Sequence, residues 1–353
     1  MTQLATPVNT QPLVQERPLG SARFDWAVTI TAVWFIFGLF LDGWAHNNIS
    51  NLIEDFFTPW HAVFYSGFLA VTAVHIWHMF HSYRQGYSWR QGYPWTKLLP
   101  VGYDLSLLGI IIFATGGAGD LVWHEIFGIE EDIAALFSPS HLALIVGMAL
   151  IVTGPIRAIG HRKTKQSGWA ALFPVVLCAT FLISLFTFIT QFAYFLTEPW
   201  IATGLNSRGF TGDASQILGV LGAIIFPAML MGILLAIMRR WDLPVGSVTF
   251  VLAVNILLMG WMRDDFIGVP AMVLTGLIGD GLLLWLKPGK ERPFAFRIFA
   301  AIIPFTIFAI YMITIVTTGK TWWVVHLLTG IPTYAAATGL LLSYLVLPPD
   351  SMH

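Results

Sequence analysis

The sequence predicts an all-α, polytopic integral membrane protein of about ten transmembrane helices, the first four forming a duplicated helical hairpin. Three observations carry that prediction. The 353 residues are 56% hydrophobic and only 10% charged, whereas soluble domains carry about 25% charged residues. Apolar runs of about 20 residues, the length that crosses a bilayer, recur along the whole chain. The polar breaks between the first of these runs alternate between acidic and basic.

Residues 1–24 are polar and proline-bearing and lack the apolar core of a signal peptide, so they read as a disordered cytoplasmic tail. Spans follow at 25–45 and 59–81, joined by "NNISNLIEDFF", which holds acids and no Lys or Arg. The next pair, 98–120 and 139–159, is joined by the similarly acidic "EIFGIEEDIAALF". Residues 25–160 thus read as two copies of one hairpin. Two central helices, with runs at 169–196 and 214–238, occupy 169–241. A four-helix C-terminal part covers 244–347, with runs at 244–262, 267–286, 294–317 and 322–346.

The breaks "HSYRQGYSWRQGYPWTK", "RAIGHRKTKQ", "RRWD" and "KPGKERPFAFR" hold most of the Lys and Arg. Such residues accumulate on cytoplasmic loops, which predicts a multi-pass cell-membrane protein with both termini cytoplasmic. Only Arg208, Arg263 and Lys320 fall on the other side. Trp44, Trp60, Trp123, Trp200, Trp261, Trp322 and Trp323 are expected at the outer interface, as an aromatic belt. Cys178 is the one cysteine, which excludes a disulfide framework or a thiolate cluster. No basic patch with interleaved aromatics points to nucleic acid.

The two acidic breaks carry the chemistry. "LDGWAHNNISNLIEDFFTPWH" (41–61) and "GDLVWHEIFGIEEDIAALFSPSH" (119–141) share one order: Asp, three residues, His, an acidic spacer, then Ser or Thr, Pro, one residue, His. Four-residue spacing puts Asp42 with His46, and Asp120 with His124, on one helix face. Thr58 and Ser138 read as N-caps, with Pro59 and Pro139 at the first helical position. His61 and His141 then lie in the first turn, where the helix dipole disfavours imidazolium and leaves a lone pair available. Carboxylate with neutral imidazole is a metal ligand set. Each hairpin therefore offers Asp, His and His to one transition metal ion: copper, zinc or iron. An iron–sulfur cluster is excluded for want of thiolates.

This Asp-x3-His order with a distal His resembles one metal site of the membrane-bound copper monooxygenases. The matching positions are Asp42, His46 and His61, or Asp120, His124 and His141. The spacer is longer here, the motif is duplicated, and the ten-helix layout differs. The resemblance implies a monooxygenase-like, metal-dependent oxidoreductase acting on a small apolar substrate near the outer surface. A cation or proton transporter using the same cluster is the alternative.

Further polar residues complete the expectations. His326, one turn into the last span, is placed to complete the site, and "WWVVHLLTGIPTYAAATG" reads as a worn third copy of the motif. Asp104 and Asp280, within the third and eighth spans, are placed to extend a proton path, with protonated structural acids as the alternative. Asp264 and Asp265 are expected to pair with Arg263. His75 and His78 read as interfacial residues, with a haem or second metal as the alternative. Glu54, Asp55, Glu130, Glu131 and Asp132 are expected to surround the ligands. The expected partners are the lipid bilayer, a small apolar substrate, and homo- or hetero-oligomeric neighbours.

Overall fold

A computed structural model describes residues 17–18, 20–49, 57–87, 95–128, 133–203 and 212–349. Ten long helices follow one another: α1 (Ala22–Asn48), α2 (Pro59–Arg84), α3 (Asp104–Phe127), α4 (Pro139–Gly160) and α5 (Trp169–Ile189). Then come α6 (Asp213–Met238), α7 (Ser247–Arg263), α8 (Val269–Trp285), α9 (Pro293–Thr317) and α10 (Val325–Val346). Eight of them are long and apolar enough to cross a membrane, and α7 and α8 are shorter apolar helices of 17 residues each. The chain is all-α and fits a multi-pass membrane protein.

α5 forms the centre, with 78% of its apolar window buried, and packs against α1, α4, α6 and α7. A fully bonded polar group pins it there. Asn255 of α7 donates to Thr187 (2.9 Å) and Ser184 (3.3 Å) and accepts from the Tyr194 hydroxyl (3.0 Å). Buried polar groups of this kind are tolerated because each finds its partner.

α1 lies along α2, and α3 along α4, at glycine contacts that bring the backbones together. A Cβ on Gly38 would lie 2.5 Å from Phe64 Cα, and one on Gly67 would lie 2.7 Å from Phe35 Cα. In the second hairpin a Cβ on Gly147 would lie 2.7 Å from Phe113 N, and one on Gly116 would lie 3.1 Å from Ala143 Cβ. Gly38 and Gly116 each stand four residues before an aspartate of the motif, and Gly67 and Gly147 six residues after a histidine. Small residues at such crossings are how apolar helices associate without a hydrophobic drive.

α4 is broken at Thr153, because Pro155 has no N–H for the helix ladder. The Ile151 carbonyl, deprived of the Pro155 donor, accepts from Ser106 (3.4 Å), and the adjacent Leu150 carbonyl accepts from Arg157 (2.8 Å) and Ser106 (3.2 Å). Arg157 also donates to the Gly102 carbonyl (2.8 Å). Gly102 sits at φ 101° where a Cβ would lie 2.5 Å from Ala158 N, so only glycine fits.

Three features differ from the sequence expectation. α5 ends at Ile189, seven residues early, and the following chain is irregular yet buried from Ala193 to Glu198. Side chains satisfy its backbone: Tyr311 donates to the Phe195 carbonyl (2.7 Å) and Thr321 to the Ala202 carbonyl (2.8 Å), the condition for non-helical backbone at membrane depth. Asp104 opens α3 instead of lying within it, and its carboxylate pairs with Arg17. Trp323 is buried, packed on Phe195 with ring centroids 6.1 Å apart, and belongs to no interfacial belt.

Candidate metal centres

The ends of α1 and α2 bring Asp42, His46 and His61 together, and the ends of α3 and α4 do the same for Asp120, His124 and His141. Within each group the ligand atoms lie within 4.8 Å of one another. Local sequence fixes them. Thr58 Oγ1 accepts from the His61 amide (3.2 Å) and Ser138 Oγ from the His141 amide (3.3 Å). These N-caps, with Pro59 and Pro139 behind them, set both histidines at the third helical position.

His61 Nε2 stands 3.1 Å from Asp42 Oδ1, and His46 Nε2 stands 3.8 Å from it. His141 Nε2 and His124 Nε2 stand 3.3 Å and 3.6 Å from Asp120 Oδ1. Neither carboxylate oxygen has a hydrogen-bond partner, although both are buried. The imidazole nitrogens stand 3.1–3.8 Å from these oxygens without forming a hydrogen bond to them. Donors about 2.1 Å from one ion lie roughly 3–4.2 Å apart, the separations found here.

Ring tautomers point the same way. A carbonyl only accepts, so the 3.3 Å contact of His124 Nδ1 with the Gly128 oxygen puts the proton on Nδ1. Nε2 then presents a lone pair towards Asp120, and two acceptors facing each other repel unless a cation stands between them. His141 Nδ1 is held by Ser138 Oγ at 2.9 Å, which orients the ring with Nε2 towards Asp120. Outer partners of this kind orient metal-binding histidines.

The two groups are neighbours. Asp42 lies near enough to Asp120 and His141 to feel their charges, and the Tyr65 phenol feels both aspartates. Tyr65 enters the space left by Gly117, where a Cβ would lie 3.0 Å from its ring and 3.2 Å from its hydroxyl oxygen. Its signal in the sequence was its place one turn after His61. The matching position after His141 is Ile145, so only the first hairpin carries it. Asp120 is the more enclosed carboxylate, with 4% of its side chain exposed against 16% for Asp42, and His46 is the most open ligand at 46%.

The other expected residues lie elsewhere. His326 is exposed at the start of α10, which packs on α6 and α9, and belongs to neither group among the described residues. Asp280 accepts from the Val248 amide (3.1 Å), the Thr249 amide (3.0 Å) and the Thr249 hydroxyl (2.5 Å). It caps the N-terminus of α7 from a neighbouring helix, which accounts for a buried carboxylate without a proton path. Arg263 pairs with Glu198 and donates to Asn47, where a pair with Asp264 or Asp265 was expected. Glu198 also accepts from Trp200 Nε1 at 2.8 Å. Sequence reading passed over this lone acid, though an acid after a long apolar run was a signal.

Asp264 is the exposed, left-handed cap of α7. With Asp265, Trp200 and Lys320 it lines an open cavity of about 580 Å³. Burial lifts the Asp265 carboxyl above its usual range, against the lowering effect of its bond from the Ile267 amide (2.9 Å). His75 is fully buried, and so is no interfacial residue. The acids Glu54, Asp55, Glu130, Glu131 and Asp132 lie outside the described residues.

No family model, no curated protein and no solved structure matches this chain.

Proposed function

We propose that the chain is a membrane metalloprotein holding two transition metal ions side by side, one on each of two duplicated hairpins, and that it is a metal-dependent oxidoreductase. The carrying observation is the pair of buried aspartate oxygens, each faced by two imidazole nitrogens at 3.1–3.8 Å and each without a hydrogen bond. Nitrogen and oxygen donors without thiolate suit copper, iron and zinc. Three donors per group among the described residues leave coordination positions open, the mark of a catalytic centre and not a closed structural one. Placement near one end of an apolar bundle suits a small apolar substrate arriving through lipid, within the bilayer or in an oligomer. Copper is the metal favoured by the motif's likeness to the membrane-bound monooxygenases.

Electron paramagnetic resonance of the purified, metal-loaded protein, before and after a mild reductant, tests the redox part. A signal that reduction removes and dioxygen restores is expected. Two bound zinc ions, with no redox-active metal taken up, would leave a metalloprotein but refute the oxidoreductase. The second reading, a cation or proton transporter, is favoured by the buried polar groups along α2.

A further inference from the structure

We infer that α2 carries a proton route between the metal end of the bundle and its opposite, basic end, with His75 as its internal station. The inference rests on the metal reading for what the route serves, and on separate residues for the route itself. At 3.6 residues per turn, His61, Tyr65, Phe68, Thr72 and His75 fall within an arc of about 80° on α2. The sequence expectation placed a proton path at Asp104 and Asp280, not on this face of α2.

Two polar atoms on the middle of that face, Thr72 Oγ1 and His75 Nε2, are buried without a hydrogen-bond partner. His75 is 0% exposed. Its Nδ1 contacts the Val71 carbonyl at 2.7 Å, so Nδ1 carries the proton and Nε2 is a lone pair. That Nε2 has no hydrogen-bond partner, and neither does Thr72 Oγ1 or His78 Nε2. Thr72 is unlike Thr29, Thr115, Thr153 and Thr180, whose hydroxyls each bond the carbonyl four residues earlier. Residues three apart on a helix are neighbours, so one water bonded to Thr72 and His75 satisfies both. Buried waters commonly fill such places.

At the basic end the route meets a buried polar group, with Asp25 1% and Tyr103 0% exposed. Tyr103 donates to Asp25 at 2.7 Å, and Arg162 pairs with the same carboxylate. The His75 ring stands 5.7 Å from the Tyr103 ring and 5.7 Å from the Phe24 ring. The charged and titratable neighbours of His75 are His78 on α2, Tyr103 at the start of α3 and Arg157 on α4. At the triad end the Tyr65 phenol is close enough to Asp42 and Asp120 to feel both charges. Phe68, packed on Phe113 at 4.4 Å, stands between Tyr65 and Thr72. That stretch of seven residues is about 10 Å long, so proton transfer across it requires water to enter beside the Phe68 ring. The route moves a proton alone: His75 Nε2 takes it from the Asp25–Tyr103 side and releases it towards Tyr65.

The test uses full-length protein in liposomes containing a trapped pH-sensitive dye, with a potassium diffusion potential as the drive and metal content measured on the same samples. The wild type should pass protons. His75→Gln, which cannot be protonated, and Thr72→Val, which keeps the shape, should each slow the flux about a hundredfold, the low end of what a positioned proton-transfer group contributes. Both should keep the wild-type metal content. Absent flux in the wild type, or flux unchanged in both variants, would overturn the route whatever the metal content. Flux that depends on His75 in a protein holding no metal would uphold the route and refute the metal reading.

Discussion

His124 shows how little at the level of single atoms separates an ordinary helix-end pair from a ligand. Asp and His four apart attract each other on many helices, and the sequence alone allows that pairing here. The Gly128 carbonyl holds a proton on Nδ1 and so supports ligation through Nε2, a contact no spacing rule foretells. Ser138 orients the His141 ring through its own Nδ1 contact. Ser138→Ala removes both the N-cap and that outer contact. Calorimetric metal titration should find affinity for the second centre lowered about 10–100-fold, beside a stability loss of about 1 kcal/mol from the cap. Unchanged affinity would mean that Ser138 only caps the helix. The convergence of all six Asp and His residues into two triads was legible in the sequence because caps, prolines and spacing are local. Tyr65 and Glu198 were not singled out, since their partners lie on other elements.

Among the elements, hydropathy located all ten helices, because length and apolarity are local properties. It misjudged the ends of α3 and α5, where a tail arginine and side-chain bonds to backbone carbonyls decide. Asp280 was open to two readings, a proton path or a structural acid, and its partners suit the second. Its three acceptor contacts tie α8 to the first turn of α7. Asp280→Ala leaves two backbone donors at that turn without partners, at about 1–3 kcal/mol each. A fall in the thermal unfolding midpoint, with metal content and proton flux unchanged, is the expected outcome. Lost proton flux in a stably folded variant would return Asp280 to the path.

For the whole molecule, the charge asymmetry of the sequence and the placement of the triads combine into one orientation. Arg84, Lys97, Arg162, Lys163, Lys165, Arg239, Arg240, Lys287 and Lys290 lie at the end opposite the two triads, which predicts triads facing away from the cytoplasm. Cys178 is buried, so a cysteine at Ile49, which is 37% exposed at the end of α1, is read without background. Ile49→Cys should react with an impermeant thiol reagent in intact cells. Reaction only after lysis would invert the orientation. The bundle's central property is nevertheless chemical: glycine-paired hairpins hold two Asp-His-His groups close enough to sense each other. Metal analysis of purified wild-type, His61→Ala and His141→Ala protein tests this most directly. The account predicts two ions per wild-type chain, and loss of one in each variant with the fold retained. Full metal content in both variants, or no stoichiometric metal in the wild type, would contradict it.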